Sequence, residues 1–145
     1  MDAENTYQVF DWLWCSGQLS KRDIDGLPVL GIDAVINLAL PTSPNALPGE
    51  AEHITALDIN YFHLPVDWDA PRLAQATLFF DILDLLHGKH VWVHCAKNMR
   101  ASVFIYLYRR LRLTESDESA AYPMQQIWVP NETWQSFIEQ VLNAR

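Results

Sequence analysis

Short apolar runs that alternate with a helical pattern constrain the fold of this chain more than any other feature of its sequence. Residues Ala34–Leu40 are almost continuously apolar, as in a strand buried on both faces of a sheet, and Tyr61–Val66 and His90–His94 are similar. Between the last two runs, Pro71–Leu86 carries apolar residues at helical spacing and a proline in its first turn. This β-α-β order predicts an α/β fold with a central, mostly parallel sheet flanked by helices.

Further elements are predicted toward both ends of the chain. Trp12–Cys15 has the pattern of a strand, and Ser20–Asp23 has that of a capping box, opening a helix that runs toward Leu30 and ends at Gly31. A helical pattern returns after Cys95. Farther along the chain, Thr114 and Asn131 are candidate helix N-caps. Because no repeat or low-complexity tract divides the chain, residues 1–145 are predicted to form a single domain.

Charge and hydropathy exclude several classes of partner. The formal net charge is −8, so we expect no nucleic-acid partner, and the basic run Arg109–Arg112 is interpreted as a complement to a helix C-terminus. No apolar stretch reaches the roughly 18 residues needed to span a membrane. We therefore expect a cytoplasmic protein with no membrane partner; the sequence does not indicate its oligomeric state.

The two cysteines, Cys15 and Cys95, are too few for a disulfide framework and too far apart for a structural zinc site. Cys15 is interpreted as a buried packing residue. Cys95 ends a predicted strand and precedes a short polar loop and a helix, where backbone N–H groups can surround an oxyanion. Lys97 and Arg100 lie close in sequence and favour the nucleophilic thiolate, and the planar guanidinium of Arg100 can bind two phosphate oxygens.

The segment Val93–Ser102 resembles the signature loop of protein tyrosine and dual-specificity phosphatases. It is most similar to bacterial phosphatase-like proteins whose loop reads His-Cys-x-x-Asn-x-Arg-Ala-Ser. Three other segments resemble that family in the same order and at similar spacing: Ser16–Gln18, Val35–Leu38 and Tyr61–Trp68. The resemblance implies the cysteine-phosphatase fold, of the dual-specificity phosphatase-like type.

The resemblance also implies a role for each residue of the loop. Cys95 would be the nucleophile, His94 would orient it through hydrogen bonds, and Arg100 would hold the phosphate. The residues expected around the bound anion are Ala96, Lys97, Asn98, Met99, Arg100 and Ala101. Ser102 would either form a hydrogen bond with the Cys95 sulfur or cap a turn of the helix. No metal or organic cofactor is implied.

In this family the leaving group receives its proton from an Asp in the loop after the Pro-containing strand. Asp67 is the predicted general acid, and Asp69 is the alternative, although its place two residues before Pro71 is more typical of a helix cap. Trp68 is expected at the rim of the pocket. The expected ligands are a phosphate- or sulfate-like anion and a phosphorylated small molecule or protein.

The loop departs from the family pattern in its spacing. Four residues separate Cys95 from Arg100, whereas the family has five. Aligned without a gap, Ser102 keeps the family's hydroxyl position and Ala101 stands where the arginine is expected, so Arg100 is rotated by about 100° on a helix start. Asn98 stands near the place of the family's glycine and tolerates a left-handed backbone better than most residues.

Three functions agree with these features. The favoured one is a phosphatase that hydrolyses phosphate monoesters through a cysteinyl-phosphate intermediate. The alternative is a binding module that retains the anion pocket without turnover, and the shifted Arg100 motivates it. Sulfur transfer is the third, because rhodanese-type loops also place four residues between Cys and Arg; His94 and the segment Pro65–Asp67 argue against it.

Overall fold

The computed structural model describes residues 1–144 and contains one five-stranded sheet. The strands are β1 (Tyr7–Phe10), β2 (Leu13–Ser16), β3 (Ala34–Asn37), β4 (Asn60–His63) and β5 (Val91–His94), in the spatial order β1-β2-β5-β3-β4. Strands β2, β5, β3 and β4 are parallel, and β1 pairs antiparallel with β2 at one edge. The predicted α/β fold with a mostly parallel central sheet is confirmed.

The helices among residues 1–144 are α1 (Lys21–Gly26), α2 (Glu50–Thr55), α3 (Leu73–Leu85), α4 (Met99–Leu111), α5 (Asp117–Ala120), α6 (Met124–Ile127) and α7 (Glu132–Asn143). Two cores result, because alternate strand residues face opposite sides. On one face, Val35 and Trp92 pack with apolar residues of α1 and α2. On the other, Ile36 and Val93 pack with α3, α4 and α7. Helix α4 is buried continuously from Arg100 to Arg109, which makes it the central helix of the fold.

The helix boundaries agree with most of the capping predictions. The Ser20 hydroxyl accepts from the Asp23 amide at 3.1 Å and the Asp23 carboxylate accepts from the Ser20 amide at 3.0 Å, which confirms the capping box. Helix α1 is shorter than predicted, because Pro28 begins a separate 3-10 turn that Gly31 ends with a left-handed backbone.

At the C-terminal end of the chain, Asn131 caps α7 as predicted, since its side chain accepts from the Trp134 amide at 3.0 Å. The prediction for Thr114 was wrong. Its hydroxyl donates to the Leu113 carbonyl, and Ser116 caps α5 instead.

The arginines at the end of α4 are engaged within the protein. Arg109 forms two hydrogen bonds of 2.8 Å with the Glu115 carboxylate, and Arg110 pairs with Asp117 at 3.3 Å. Arg112 pairs with carboxylates of α3, including Asp81 at 3.0 Å. These pairs leave the basic run with acidic partners inside the fold, which is consistent with its interpretation as a helix C-terminus. Among residues 1–144, no helix combines the length and the apolar character that crossing a membrane requires.

Candidate active site

The carboxyl ends of the four parallel strands lie in one row across the sheet. In register, Ser16 of β2 pairs with His94 of β5, which pairs with Asn37 of β3, which pairs with His63 of β4. All four strands end on this side of the sheet, where α/β folds commonly bind ligands. The Cys95 loop follows β5 directly at the middle of the row.

Cys95 lies between the end of β5 and the start of α4. Asn98 is the N-cap of α4 and has a left-handed backbone with φ of 67°, as its residue type allows. This turn brings the first turn of the helix back toward the cysteine, and the Ala101 amide donates to the Cys95 sulfur at 3.5 Å. An N–H donor and the positive end of the helix dipole both stabilise a thiolate at this place.

The carbonyl oxygens of the loop are held by the adjacent His94 and by donors from distant parts of the chain. The Cys95 carbonyl accepts from His94 Nδ1 at 3.2 Å, and the Ala96 carbonyl accepts from the Gln18 amide at 3.0 Å and from Asn45 Nδ2 at 3.1 Å. In a planar trans peptide the N–H points opposite to the C=O. The amides of Ala96 and Lys97 are therefore directed to the other side of the loop from these donors, as an anion-binding loop requires.

A cavity of about 290 Å³ opens over Cys95. It is lined by Ser43, Pro44, Trp68, Cys95, Ala96, Lys97, Met99 and Arg100. Cys95 is buried, with 1% of the residue exposed, and it is one of the residues that line this cavity. Lys97 is exposed, and Trp68 forms one wall as predicted for a residue at the rim.

Arg100 reaches the same cavity despite its early place in the loop. Its side chain is buried, with 7% of the residue exposed, and its Nη1 donates to the Val66 carbonyl at 2.8 Å. The guanidinium carbon lies 6.0 Å from the centre of the Trp68 ring, within the range of a cation–π contact. The shorter spacing thus still brings cysteine and arginine to one pocket, with the guanidinium anchored to the loop after β4.

Ser102 takes the second of its two predicted arrangements. Its hydroxyl donates to the Met99 carbonyl at 2.8 Å and accepts from Trp128 Nε1 at 3.2 Å. These contacts cap the first turn of α4 and join it to the segment after α6. A hydrogen bond to the Cys95 sulfur would require the hydroxyl to rotate away from Met99.

The carboxylate of Asp67 is exposed and accepts from the Asp69 amide at 2.8 Å. Neither aspartate is among the residues that line the cavity. Asp69 does not cap the following helix, because α3 begins after Arg72, whose amide donates to Gln75 at 3.1 Å. Asp67 and Asp69 flank Trp68 of the cavity wall, and Asp67 also adjoins Val66, which Arg100 contacts.

Sequence analysis missed the partner of His94. The His94 Nε2 atom lies 2.8 Å from the Glu50 carboxylate, which also accepts from Tyr61 at 2.8 Å, from Asn37 at 3.2 Å and from Gln18. Burial opposes the charged form of Glu50, but the hydrogen bond and positive charge of His94, with the bonds from Gln18 and Tyr61, lower its pKa below the ordinary value of 4.5. Nothing in the exposed-looking segment around Glu50 indicates this role; only the packing of α2 against β4 creates it.

Comparisons with known proteins give no match to a protein-family profile and none to a curated protein. Solved structures do match. The chain is 30% identical to a phosphatase-like DUF442 protein from Shewanella putrefaciens CN-32, with a TM-score of 0.85 over 97% of this chain and 92% of that one.

Two more distant structures share the fold at 17% identity. They are P. aeruginosa TpbA, with a TM-score of 0.75 over 94% of this chain and 84% of that one, and the core catalytic domain of the PP-IP phosphatase SIW14 from S. cerevisiae, with a TM-score of 0.73 over 97% and 87%. The predicted resemblance to tyrosine and dual-specificity phosphatases is thereby confirmed at the level of the fold.

Proposed function

The chain belongs to the DUF442 family of phosphatase-like proteins, and from that premise we propose that it hydrolyses phosphate monoesters through Cys95. The observation that carries the proposal is the shared cavity: Cys95, which precedes the N-terminus of α4, and Arg100 line the same space of about 290 Å³. A nucleophile and a bidentate phosphate ligand in one enclosed site are the two groups that this reaction needs first.

The reaction proceeds in two steps. The Cys95 thiolate attacks phosphorus, the bond to the leaving oxygen breaks, and that oxygen takes a proton from the general acid, so that a cysteinyl phosphate and an alcohol or phenol result. Water then attacks the phosphorus and gives a proton to the carboxylate left by the general acid, the S–P bond breaks, and inorganic phosphate and the thiolate are released. Arg100 and the amides of Ala96 and Lys97 stabilise the oxygens in both steps, and the Ala101 amide stabilises the sulfur.

Asp67 is the general acid in this scheme. Its carboxyl has to leave the Asp69 amide, to which it is bound at 2.8 Å, and turn toward the cavity wall formed by Trp68. Asp67 and Asp69 both lie on an exposed turn. Because Asp69 contributes its amide to that turn, the two aspartates make a matched pair for testing the assignment.

The residues that line the cavity indicate a class of substrate. Trp68, Pro44 and Met99 form apolar walls next to the anion site, so an aryl or other apolar group on the phosphate would be buried against them. The proposed substrate is a phosphorylated small molecule or protein side chain that presents such a group.

A second candidate is an anion-binding protein without turnover. Two observations favour it: one of the five N–H donors of Arg100 is occupied by Val66, and the Asp67 carboxylate is engaged by the Asp69 amide outside the cavity. Such a protein would bind phosphate in the loop and leave the ester intact.

The experiment that separates the two is hydrolysis of an aryl phosphate between about pH 5 and 7.5 by the wild type, Cys95→Ser, Arg100→Ala, Asp67→Asn and Asp69→Asn. Circular dichroism establishes that each variant is folded. Turnover that Cys95→Ser abolishes and that Asp67→Asn lowers by about a hundredfold, with Asp69→Asn unaffected, supports the phosphatase. Phosphate or vanadate binding by calorimetry, with no wild-type turnover above the Cys95→Ser background, overturns it in favour of the binding protein.

A further inference from the structure

Glu50 is a buried carboxylate in the first turn of α2, with 6% of the residue exposed. Every polar group that contacts its oxygens is a donor: His94 Nε2, the Tyr61 hydroxyl, Asn37 Nδ2 and Gln18 Nε2. Burial raises the pKa of Tyr61, so its hydroxyl keeps the proton that it donates. An environment made of donors holds the carboxylate in its charged form, and a buried charge requires a compensating one.

His94 supplies that charge. The residue is fully buried, and its two ring nitrogens face two acceptors, the Glu50 carboxylate at 2.8 Å and the Cys95 carbonyl at 3.2 Å. A carboxylate and a carbonyl can only accept, so both nitrogens must donate and the ring must be an imidazolium. The pair is therefore an ion pair whose cation is bound on its other side to the backbone of the nucleophile.

The hydrogen bond from His94 fixes the orientation of one peptide in the loop. It holds the Cys95 carbonyl on the side away from the cavity, and the Ala96 N–H on the opposite side of the same peptide is directed at the anion site. The bond also places a positive charge directly behind Cys95. Both effects depend on the ring being doubly protonated, and its protonation depends on Glu50.

We propose that Glu50 is a positioning residue of the Cys95 site: through His94 it orients the Ala96 amide toward a bound phosphoryl group and stabilises the thiolate. This inference rests on the proposed function, because the phosphoryl group is the ligand of that amide. Glu50 itself contacts neither Cys95 nor the cavity over it, so it acts only through His94.

The other titratable and charged groups around the pair are few. Tyr61 donates to Glu50 from β4, and His63, on the same strand, donates through Nε2 to the Ala39 carbonyl at 2.7 Å. The charge of Glu52, on α2, acts on Tyr61, and Lys97 and Arg100 lie on the cavity side of the loop. Of these, only Tyr61 shares a hydrogen bond with Glu50. Glu50 is therefore the side chain on which the protonation of His94 depends most.

The test compares Glu50→Gln with Glu52→Gln, an exposed glutamate on the same helix that makes no hydrogen bond to His94. Glutamine preserves the size of the side chain but removes the charge. Three quantities are measured: the rate of Cys95 alkylation by iodoacetamide as a function of pH, the affinity for inorganic phosphate by calorimetry, and the protonation of the His94 ring by ¹⁵N NMR.

For Glu50→Gln we expect a neutral His94 ring near neutral pH, an alkylation profile displaced to higher pH, and about tenfold weaker phosphate binding, as for loss of an outer-shell partner. Glu52→Gln is expected to match the wild type. An unchanged alkylation profile and a doubly protonated ring in folded Glu50→Gln would overturn the inference. A merely structural role would lower stability without neutralising the ring.

Glu50→Asp serves if Glu50→Gln does not fold. It keeps the charge but is one methylene shorter, so it lengthens the 2.8 Å contact with His94. A smaller displacement of the profile in the same direction supports the inference, and a wild-type profile contradicts it. The alkylation, NMR and phosphate measurements need no turnover. A wild type that hydrolyses no ester but shows these shifts would thus refute the phosphatase while supporting the role of Glu50.

Discussion

The Arg100 guanidinium donates a hydrogen bond to the Val66 carbonyl oxygen at 2.8 Å, and this contact joins the anion loop to the segment that carries Asp67. Val66 is fully buried. The arginine therefore serves two purposes, as a ligand for a bound anion and as the partner of a buried backbone acceptor. A substitution can separate the two.

Arg100→Lys retains a positive charge that can reach Val66 but loses the planar fork, whereas Arg100→Met loses both. We expect about tenfold weaker phosphate binding for Arg100→Lys with little change in stability, and for Arg100→Met an additional loss of about 1–3 kcal/mol in the free energy of unfolding, because Val66 is left without its donor. Calorimetry and urea unfolding measure the two effects. Wild-type phosphate affinity in Arg100→Lys would show that the guanidinium is not an anion ligand.

The left-handed backbone of Asn98 gives a second prediction. Asn98→Gly and Asn98→Ala both lose the Nδ2 hydrogen bonds to the Asn5 carbonyl at 2.8 Å and to the Cys15 sulfur at 3.2 Å. They differ in the cost of φ at 67°, which only alanine bears. Asn98→Ala is expected to be less stable than Asn98→Gly by about 1 kcal/mol in thermal or urea unfolding. Equal stability would mean that the loop relaxes to another backbone conformation.

The close approach of β2 to the loop makes Gly17 sensitive to substitution. A Cβ at Gly17 would lie 2.8 Å from the Ala96 carbonyl oxygen and 3.2 Å from the Lys97 Cα, so one backbone must move. We expect Gly17→Ala to lower stability by about 1–3 kcal/mol and to weaken phosphate binding. Gly26→Ala is the control, because nothing lies within 4 Å of its Cβ and it belongs to α1. That change is expected to stabilise the protein by about 0.5–1 kcal/mol.

Much of the fold and the centre of the site could be predicted from sequence, because their signals are local. Apolar runs indicated the inner strands, and the Cys95 loop was recognisable from its position between a strand and a helix. The edge strand β1 was missed, since its residues are only partly buried and its register is irregular between Gln8 and Phe10. Pro28 broke a helix that periodicity alone extended to Leu30.

The partners of the loop could not be predicted, because they are polar residues that only the tertiary fold brings near. Glu50, Asn45 and Asn5 lie in segments with no motif, and nothing local indicates which backbone carbonyl or ring each will meet. Their contacts with the loop follow from how α2 and the connecting loops pack over the edge of the sheet. The roles assigned to Asp67 and Arg100 stay predictions that the variants above test.

The two cysteines are expected to differ in reactivity. Burial, with a contribution from the neighbouring Cys95, raises the pKa of Cys15 to about 12, although the bond from Asn98 partly offsets this. Native wild type treated with iodoacetamide at about pH 8 is therefore expected to be modified at Cys95 alone. Mass spectrometry of native and urea-unfolded protein gives the comparison, with both thiols reacting once unfolded. Rapid labelling of Cys15 in native Cys95→Ser would contradict its burial.

Glu50 also gives a prediction for stability in acid. Its pKa is lowered in the folded state, so its contribution to stability is complete above the ordinary value of 4.5 and is lost as the pH falls through its folded value. Glu50→Gln lacks this contribution. The wild type is thus expected to be more stable than Glu50→Gln at neutral pH, and the difference should shrink below pH 4.5 in urea unfolding. Glu115, whose pKa Arg109 lowers, titrates equally in both proteins. A difference that stays constant with pH would contradict the ion pair.

Gln18, Asn45 and Asn5 donate to carbonyls of the Cys95 loop from positions between 51 and 92 residues away along the chain. A peptide with the loop's own sequence would have none of them, and closing chain segments of that length around it is an entropic cost that only the assembled sheet offsets. The conformation in which the loop binds an anion therefore depends on contacts made throughout the fold. We therefore expect the amide hydrogens of the loop to exchange only when the sheet opens. The loop would lose its affinity for anions in the same opening event.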